Sequence, residues 1–242
     1  MKVNMLMVRI GNFFYRYRNG IFPLLFLWVF IPSPDLFQHP VLAMVIGLSV
    51  VFVGHAFRLL TVGLVRRDRG FKYGRVNADD LIVSGFFSHC RNPYYLGSIL
   101  VVVGMGMMSN NFVFFLFVTV AFASIYGTIV AAEEVFLENK YRDQYRYYMR
   151  RVNRWVPSLF GIGETLREHR WSIKRVLVNE CNSTFTTATL CLLLIAKNIF
   201  DHPNLVDVPL IGYKILLAIW LLLAVLYGFV KVLKRNGKLK AD

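Results

Sequence analysis

Seven consecutive residues, Arg91-Asn92-Pro93-Tyr94-Tyr95-Leu96-Gly97, lead from a polar turn straight into an apolar run, and the turn before them carries Ser88, His89 and Cys90. Arg, Asn and His are costly beside hydrocarbon unless they bind or pair with something. A second polar cluster, Glu133-Glu134, closes the next apolar run. If the two runs form a tight hairpin, both clusters return to one side of the membrane, and their meeting point is the candidate active site. Carboxylates there can hold cationic groups, and an Arg can take a carboxylate in a two-pronged hydrogen bond. Tyr95 adds a ring to stack on and a hydroxyl to bond.

The elements that must position these groups are membrane helices. The chain has 242 residues, is 56% hydrophobic and has a mean hydropathy of +0.50. Apolar runs near 20 residues read as spans, because a helix rising ~1.5 Å per residue needs about that many to cross ~30 Å. Six such runs are expected, over residues 21–31, 40–65, 93–108, 112–132, 184–200 and 210–232. The first is short, with Pro23 in its opening turn and Pro32 closing it, and crosses only if neighbouring turns join it. Spans three and four, separated by Asn110-Asn111, must be antiparallel neighbours, and Gly97, Gly104 and Gly106 would let the partner of span three approach closely. The last two spans read as scaffold or lipid-facing wall, with only Lys197, Asn198 and Lys214 as polar residues near their outer ends. His55 and Arg58 fall in the last turns of the second span. Arg58 can snorkel to the interface from there, or both can line a pocket.

Charge sets the orientation. The net +14 is unevenly placed: residues 32–40, 109–111 and 201–209 contain no Lys or Arg. The alternate segments are crowded with them: Arg16 and Arg18; Arg66, Arg67, Arg69, Lys72, Arg75 and Arg91; Arg142 to Arg154; Lys234 to Lys240. This positive-inside pattern puts both termini on the cytoplasmic side. It also makes contact with anionic headgroups a better reading than nucleic acid. Residues 66–90 form a cytoplasmic loop with turn residues Asp68-Arg69-Gly70, Tyr73-Gly74 and Asn77. No cleaved signal is expected at the start, since no small-residue cleavage site follows a short apolar core. Cys90, Cys181 and Cys191 give no C-x-x-C, and the five histidines show no metal-ligand spacing, so neither a disulfide framework nor a metal is expected.

Beyond the fourth span, Tyr141, Tyr145, Tyr148, Val152 and Trp155 recur at helical spacing on one face, with Arg142, Asp143, Arg146 and Arg150 on the others. This is an amphipathic cytoplasmic helix ending before Pro157, either lying on headgroups or covering a membrane-facing pocket. The fold class is therefore all-α: a polytopic bundle of about six transmembrane helices, one integral domain over 1–242. It divides into N-terminal spans (1–75), a catalytic core (76–160) and two further spans (161–242).

Gly85-Phe86-Phe87, then Arg91-Asn92-Pro93-x-Tyr95-x-Gly97, then Glu133-Glu134-x-x-Leu137, then Tyr145-x-x-Tyr148-x-x-x-Val152-x-Arg154-x-x-Pro157 resembles the isoprenylcysteine carboxyl methyltransferase and phospholipid methyltransferase superfamily. The resemblance covers roughly residues 75–160. It implies an integral membrane enzyme that binds S-adenosylmethionine without a Rossmann domain and takes a lipid or lipid-linked acceptor from the bilayer. Cofactor binding would fall on His89, Arg91, Asn92, Pro93, Tyr95, Gly97, Glu133 and Glu134. Catalytic roles would fall on Glu133, Glu134, Arg151 and Arg154, and acceptor binding on Tyr145, Tyr148 and Arg154. Asn92 stands where the family most often has His. Lys140-Tyr141-Arg142 and Asn153 replace the usual Phe-Gly and the Pro before Arg154.

S-adenosylmethionine offers a sulfonium, an ammonium, a carboxylate and an adenine, for which a Glu, an Arg and a Tyr are natural partners. A carboxylate or phosphate acceptor would be oriented by Arg151 or Arg154 and needs no strong base. An amine acceptor would need one Glu to take a proton. Three plainer readings stand beside this one: Glu133 and Glu134 pairing with Arg residues of the following helix, Arg91 serving only as a topology anchor, and Tyr141 and Trp155 only packing. At the level of the whole chain the alternatives are an NADPH-dependent sterol-type reductase and a non-catalytic membrane scaffold.

Overall fold

The computed structural model describes residues 5–64, 81–168, 171–205 and 209–239. Of the charged loop expected over 66–90, residues 66–80, with Arg66, Arg67, Arg69, Lys72, Arg75 and its turn residues, lie outside the described residues, as does Lys240. The protein is an all-helical, polytopic membrane protein. Among the described residues four helices are long and apolar enough to cross a bilayer, and two shorter apolar stretches, Gly20–Phe30 and Pro93–Met108, accompany them.

Helix α1 (Met5–Phe26) continues into a 3-10 turn, Leu27–Phe30. It starts well before the expected residue 21, so Pro23 lies inside the helix rather than in its first turn. Packing carries it back through the basic turns. An added Cβ on Gly11 would sit 2.2 Å from the Thr128 carbonyl oxygen, and Phe22 meets Phe122 at 4.4 Å between ring centroids. Both contacts are with α4 (Phe112–Tyr141).

Helices α2 (Pro40–Leu64) and α3 (Pro93–Met108) match the expected second and third spans. Their packing differs from expectation in one respect. Gly97 and Gly104 face α2, not the hairpin partner α4: a Cβ on Gly97 would lie 2.6 Å from the Gly54 oxygen, and one on Gly104 2.6 Å from the Gly47 oxygen. Two glycine pairs seven residues apart thus bring the α2 and α3 backbones together, the small-residue route to close approach in a bilayer. Only Gly106 faces α4, against Phe115 and Val118.

Asn111 caps α4 by accepting a 2.7 Å hydrogen bond from the Phe114 amide. The helix then runs 30 residues, past the expected end at 132, so Glu133-Glu134 stand inside it rather than at its terminus. It breaks at Arg142, whose φ of +44° is a conformation that suits glycine and strains other residues. Arg142 occupies the stretch where the resembling family has Phe-Gly. Helix α5 (Asp143–Arg151) follows and is shorter than the expected amphipathic helix: Tyr141 belongs to α4, while Val152 and Trp155 lie in irregular chain.

After α6 (Ile162–Glu168), α7 (Ile173–Asp201) and α8 (Pro209–Arg235) both exceed their expected lengths. Helix α8 has no buried residue, as a lipid-facing wall should. Helix α7 does not fit that description: Val176, Glu180, Cys191, Leu194, Asn198 and Ile199 are buried. Contacts run α1 to α4, α4 to α3, α3 to α2, then α2 and α3 to α7, and α7 to α8. Helices α1 and α7 therefore flank a groove floored by α3 and α4.

Candidate active site

That groove is a cavity of about 2190 Å³. Its polar end is built around Glu134. Arg154 donates from Nε to Glu134 Oε2 at 3.0 Å and also from Nη2, while Asn92 Nδ2 reaches Oε1 at 3.4 Å. Arg91 Nε lies 3.3 Å from Oε1 as an ion pair without hydrogen-bonding geometry. The hydrogen bond to Glu134 holds the Arg154 guanidinium above its ordinary pKa. The reading in which Glu134 pairs with Arg residues of the following segment is thus realised for Glu134.

Glu133 takes a different direction. Adjacent helical residues point about 100° apart, so Glu133 turns into the cavity and bonds the Tyr95 hydroxyl, with Arg18 and Tyr15 of α1 nearby. A pair of carboxylates read as one cluster in the sequence divides in space: Glu134 organises the protein and Glu133 faces the cavity.

The segment from α5 to Ser158 is stitched onto the turn before α3. Arg91 N donates to Asn153 O at 2.9 Å, Ser158 N to His89 O at 3.0 Å, and Tyr148 OH to Phe87 O at 2.6 Å. Asn92 Nδ2 also reaches Arg154 O at 3.3 Å. Burial pushes the hydroxyls of Tyr145 and Tyr148, and the Cys90 thiol, above their usual pKa values. All three stay protonated at neutral pH.

Of the residues named from sequence, Arg91, Asn92, Tyr95, Glu133, Glu134, Tyr145 and Tyr148 line the cavity. Pro93 opens α3 and is buried beside it. Gly97 packs on α2. The His89 ring bonds the Ser158 carbonyl at 2.9 Å and the Thr165 hydroxyl at 2.8 Å, which makes it a staple for the 158–165 segment. Arg151 is exposed and stacks 4.5 Å over the Tyr147 ring, away from the cavity. Arg154 is bonded to Glu134 and is not among the lining residues.

A second polar cluster lies deeper, and sequence reading missed most of it. Arg58 does not snorkel outward. It is buried and donates to Glu180 Oε2 from Nε at 3.1 Å and Nη2 at 2.8 Å, to Ser98 Oγ at 2.8 Å, to Ser183 Oγ at 2.6 Å and to the Tyr94 hydroxyl. All five residues line the same cavity. The available signal was one acidic residue near the start of an apolar run and one basic residue near the end of another, since charges at that depth need partners. The polar stretch 179–184 instead put the expected start of the span at 184 and left Glu180 outside it.

Comparison with known proteins follows these positions. Residues 42–144 match the phospholipid methyltransferase family. The chain is 27% identical over 161 residues to the cobalt-zinc-cadmium resistance protein CzcN of Cupriavidus metallidurans, covering 62% of this chain and 68% of that protein. It is 28% identical over 102 residues to the nickel-cobalt-cadmium resistance protein NccN of Alcaligenes xylosoxydans xylosoxydans, covering 41% and 47%. It is 28% identical over 84 residues to the protein-S-isoprenylcysteine O-methyltransferase of Schizosaccharomyces pombe, covering 34% and 36%. The chain thus spans about two thirds of the first relative's length and under half of the other two. No solved structure matches it. Among the described residues no group of three His, Cys, Asp or Glu side chains is placed to hold a metal. The family match and the yeast relative support the membrane methyltransferase superfamily that the motifs resemble.

Proposed function

We propose that this chain, taken as a membrane methyltransferase, transfers a methyl group from S-adenosylmethionine to a lipid or lipid-linked acceptor. The proposal places the reaction at the cytoplasmic face of a six-span bundle. One observation carries the reading: the family's motif residues Arg91, Asn92, Tyr95, Glu133 and Glu134 converge on one end of a cavity that continues along the membrane helices.

The residues present fit the cofactor. Arg91 lines the cavity, and its Nε meets Glu134 Oε1 only as a 3.3 Å ion pair without a hydrogen bond, which leaves the guanidinium able to take the carboxylate of an amino acid moiety. Glu133 offers negative charge to the cationic groups, and Tyr95 fixes that carboxylate by its hydroxyl. Bound there, S-adenosylmethionine would supply an electrophilic methyl carried on a sulfonium. Glu134 gathers Arg91, Asn92 and Arg154 and so sets where the Arg91 donor stands. Buried Tyr145 and Tyr148 close the site from water, which favours reaction between oppositely charged partners by removing their hydration. An amine acceptor would give its proton to Glu133, whereas a carboxylate or phosphate acceptor would need no base.

The test is transfer of labelled methyl from S-adenosylmethionine into lipid extracts by the purified full chain. Transfer that falls by about 100-fold or more in Glu133→Gln, with helical content unchanged, supports the reading. Wild-type transfer matched by Glu133→Gln would overturn the role of Glu133.

A further inference from the structure

We infer that the Arg58–Glu180 cluster is a second polar subsite, in which Ser183 donates a hydrogen bond to an ester carbonyl of a diacyl lipid whose chains occupy the groove. The inference rests on the lipid-acceptor half of the reading above. It depends on α7, which lies outside the matched residues 42–144.

The hydroxyl protons carry the argument. Arg58 donates to three hydroxyls, and a hydroxyl that accepts from a guanidinium keeps its own proton to give. Ser98 gives its proton to the Tyr94 carbonyl at 2.9 Å. The Tyr94 hydroxyl is bonded to Glu180. Ser183 has no acceptor for its proton among the described residues, and it lines the cavity. Asn179 and Thr187, one turn to either side of it on α7, line the cavity as well.

Charge then selects the ligand. Arg58 and Glu180 cancel each other, so the cluster is electroneutral and offers an anionic phosphate no uncompensated cation. An ester carbonyl needs only a donor. Depth agrees with this: α7 has 29 residues, about 43 Å at the helical rise, against ~30 Å of hydrocarbon. The excess lies at its polar start, residues 173–183. Ser183 directly precedes the apolar run 184–200 of α7, at the polar-to-apolar change where the ester linkages of a bilayer lipid begin. Beyond the cluster the groove becomes apolar, lined by Val101, Val102, Met105, Leu190 and Leu194, as acyl chains require.

Native mass spectrometry of the detergent-purified full chain tests this with dioleoyl-phosphatidylethanolamine and its dioleyl ether counterpart, which lacks the carbonyls. The wild type should retain the diester about fivefold more strongly, the worth of one net hydrogen bond. Ser183→Ala should erase that preference and Ser183→Thr should keep it. Equal retention of both lipids by the wild type, retention of neither, or an undiminished preference in Ser183→Ala would each overturn the inference. Binding of S-adenosylhomocysteine, measured on the same samples, separates the two readings. A wild type that prefers the diester yet binds no S-adenosylhomocysteine would leave the lipid subsite standing and remove the methyltransferase reading.

Discussion

Glu134 and Glu180 are both buried at the same end of the bundle and both paired with arginine, yet they are held in different ways. Glu134 draws its partners from stretches next to helix ends: Arg91 and Asn92 before α3, and Arg154 after α5. The Arg91 and Arg154 side chains keep 13% and 29% exposure, so water shares in solvating that cluster. Glu180 and Arg58, at 2% and 10%, are enclosed by three helices. Similar ion pairs thus serve different ends. The shallow one arranges a loop-built site, and the deep one attaches α7 to the family-matched helices.

Breaking the deep pair should have the largest effect. Glu180→Leu leaves Arg58 buried without a counter-charge and should cost about 3–5 kcal/mol, read as a fall in thermal unfolding temperature in detergent. The double variant Arg58→Met/Glu180→Leu should recover most of the loss, because paired apolar replacement avoids the stranded charge. A double variant as unstable as the single one would contradict this account of the deep cluster.

A smaller effect is expected where the shallow cluster is stitched to its loop. Tyr148→Phe removes the donor to the Phe87 carbonyl and should cost about 1–2 kcal/mol. The same residue sharpens the comparison by pH. Burial raises the hydroxyl pKa of Tyr145 and Tyr148 above the ordinary value of about 10, so the folded state favours their neutral forms. That contribution is complete below about pH 10 and is lost as pH rises through the folded values. Ultraviolet titration should leave both un-ionised until the protein unfolds. Their ionisation in folded protein near pH 10 would show that the shallow site is more open to water than described.

The smallest effect belongs to Arg151. Exposed and stacked on Tyr147, it belongs to neither cluster, and Arg151→Ala should cost no more than about 1 kcal/mol with S-adenosylhomocysteine affinity unchanged. An affinity loss of tenfold or more would return Arg151 to the site.

The residues that sequence reading located well are those whose environment is local. The α3 boundaries follow from Pro93 and the Asn110-Asn111 turn, whereas the meeting of Arg91 and Asn92 with Glu134 was expected from the hairpin of spans three and four and from the family resemblance. What failed was set by packing between distant segments. Gly97 and Gly104 were visible as small residues, but not that they meet Gly54 and Gly47 rather than α4. The start of α1 was hidden because Arg9, Arg16 and Arg18 interrupt the apolar run by which spans are read, although Arg is a good helix former. Glu180 was hidden because its partner, Arg58, lies 122 positions away, and no periodicity links them. The division between Glu133 and Glu134 needed the helix to run on past both, which an apolar-run criterion ends too early.

The central claim is that Glu133 and the Arg91–Glu134 arrangement form a cofactor site. Calorimetric titration of the detergent-purified full chain with S-adenosylmethionine, S-adenosylhomocysteine and NADPH tests it most directly. The account predicts micromolar binding of the first two, lost in Glu133→Ala and Glu134→Ala, and no binding of NADPH. Folded protein that binds NADPH alone, or that binds S-adenosylhomocysteine equally well in both variants, would contradict it.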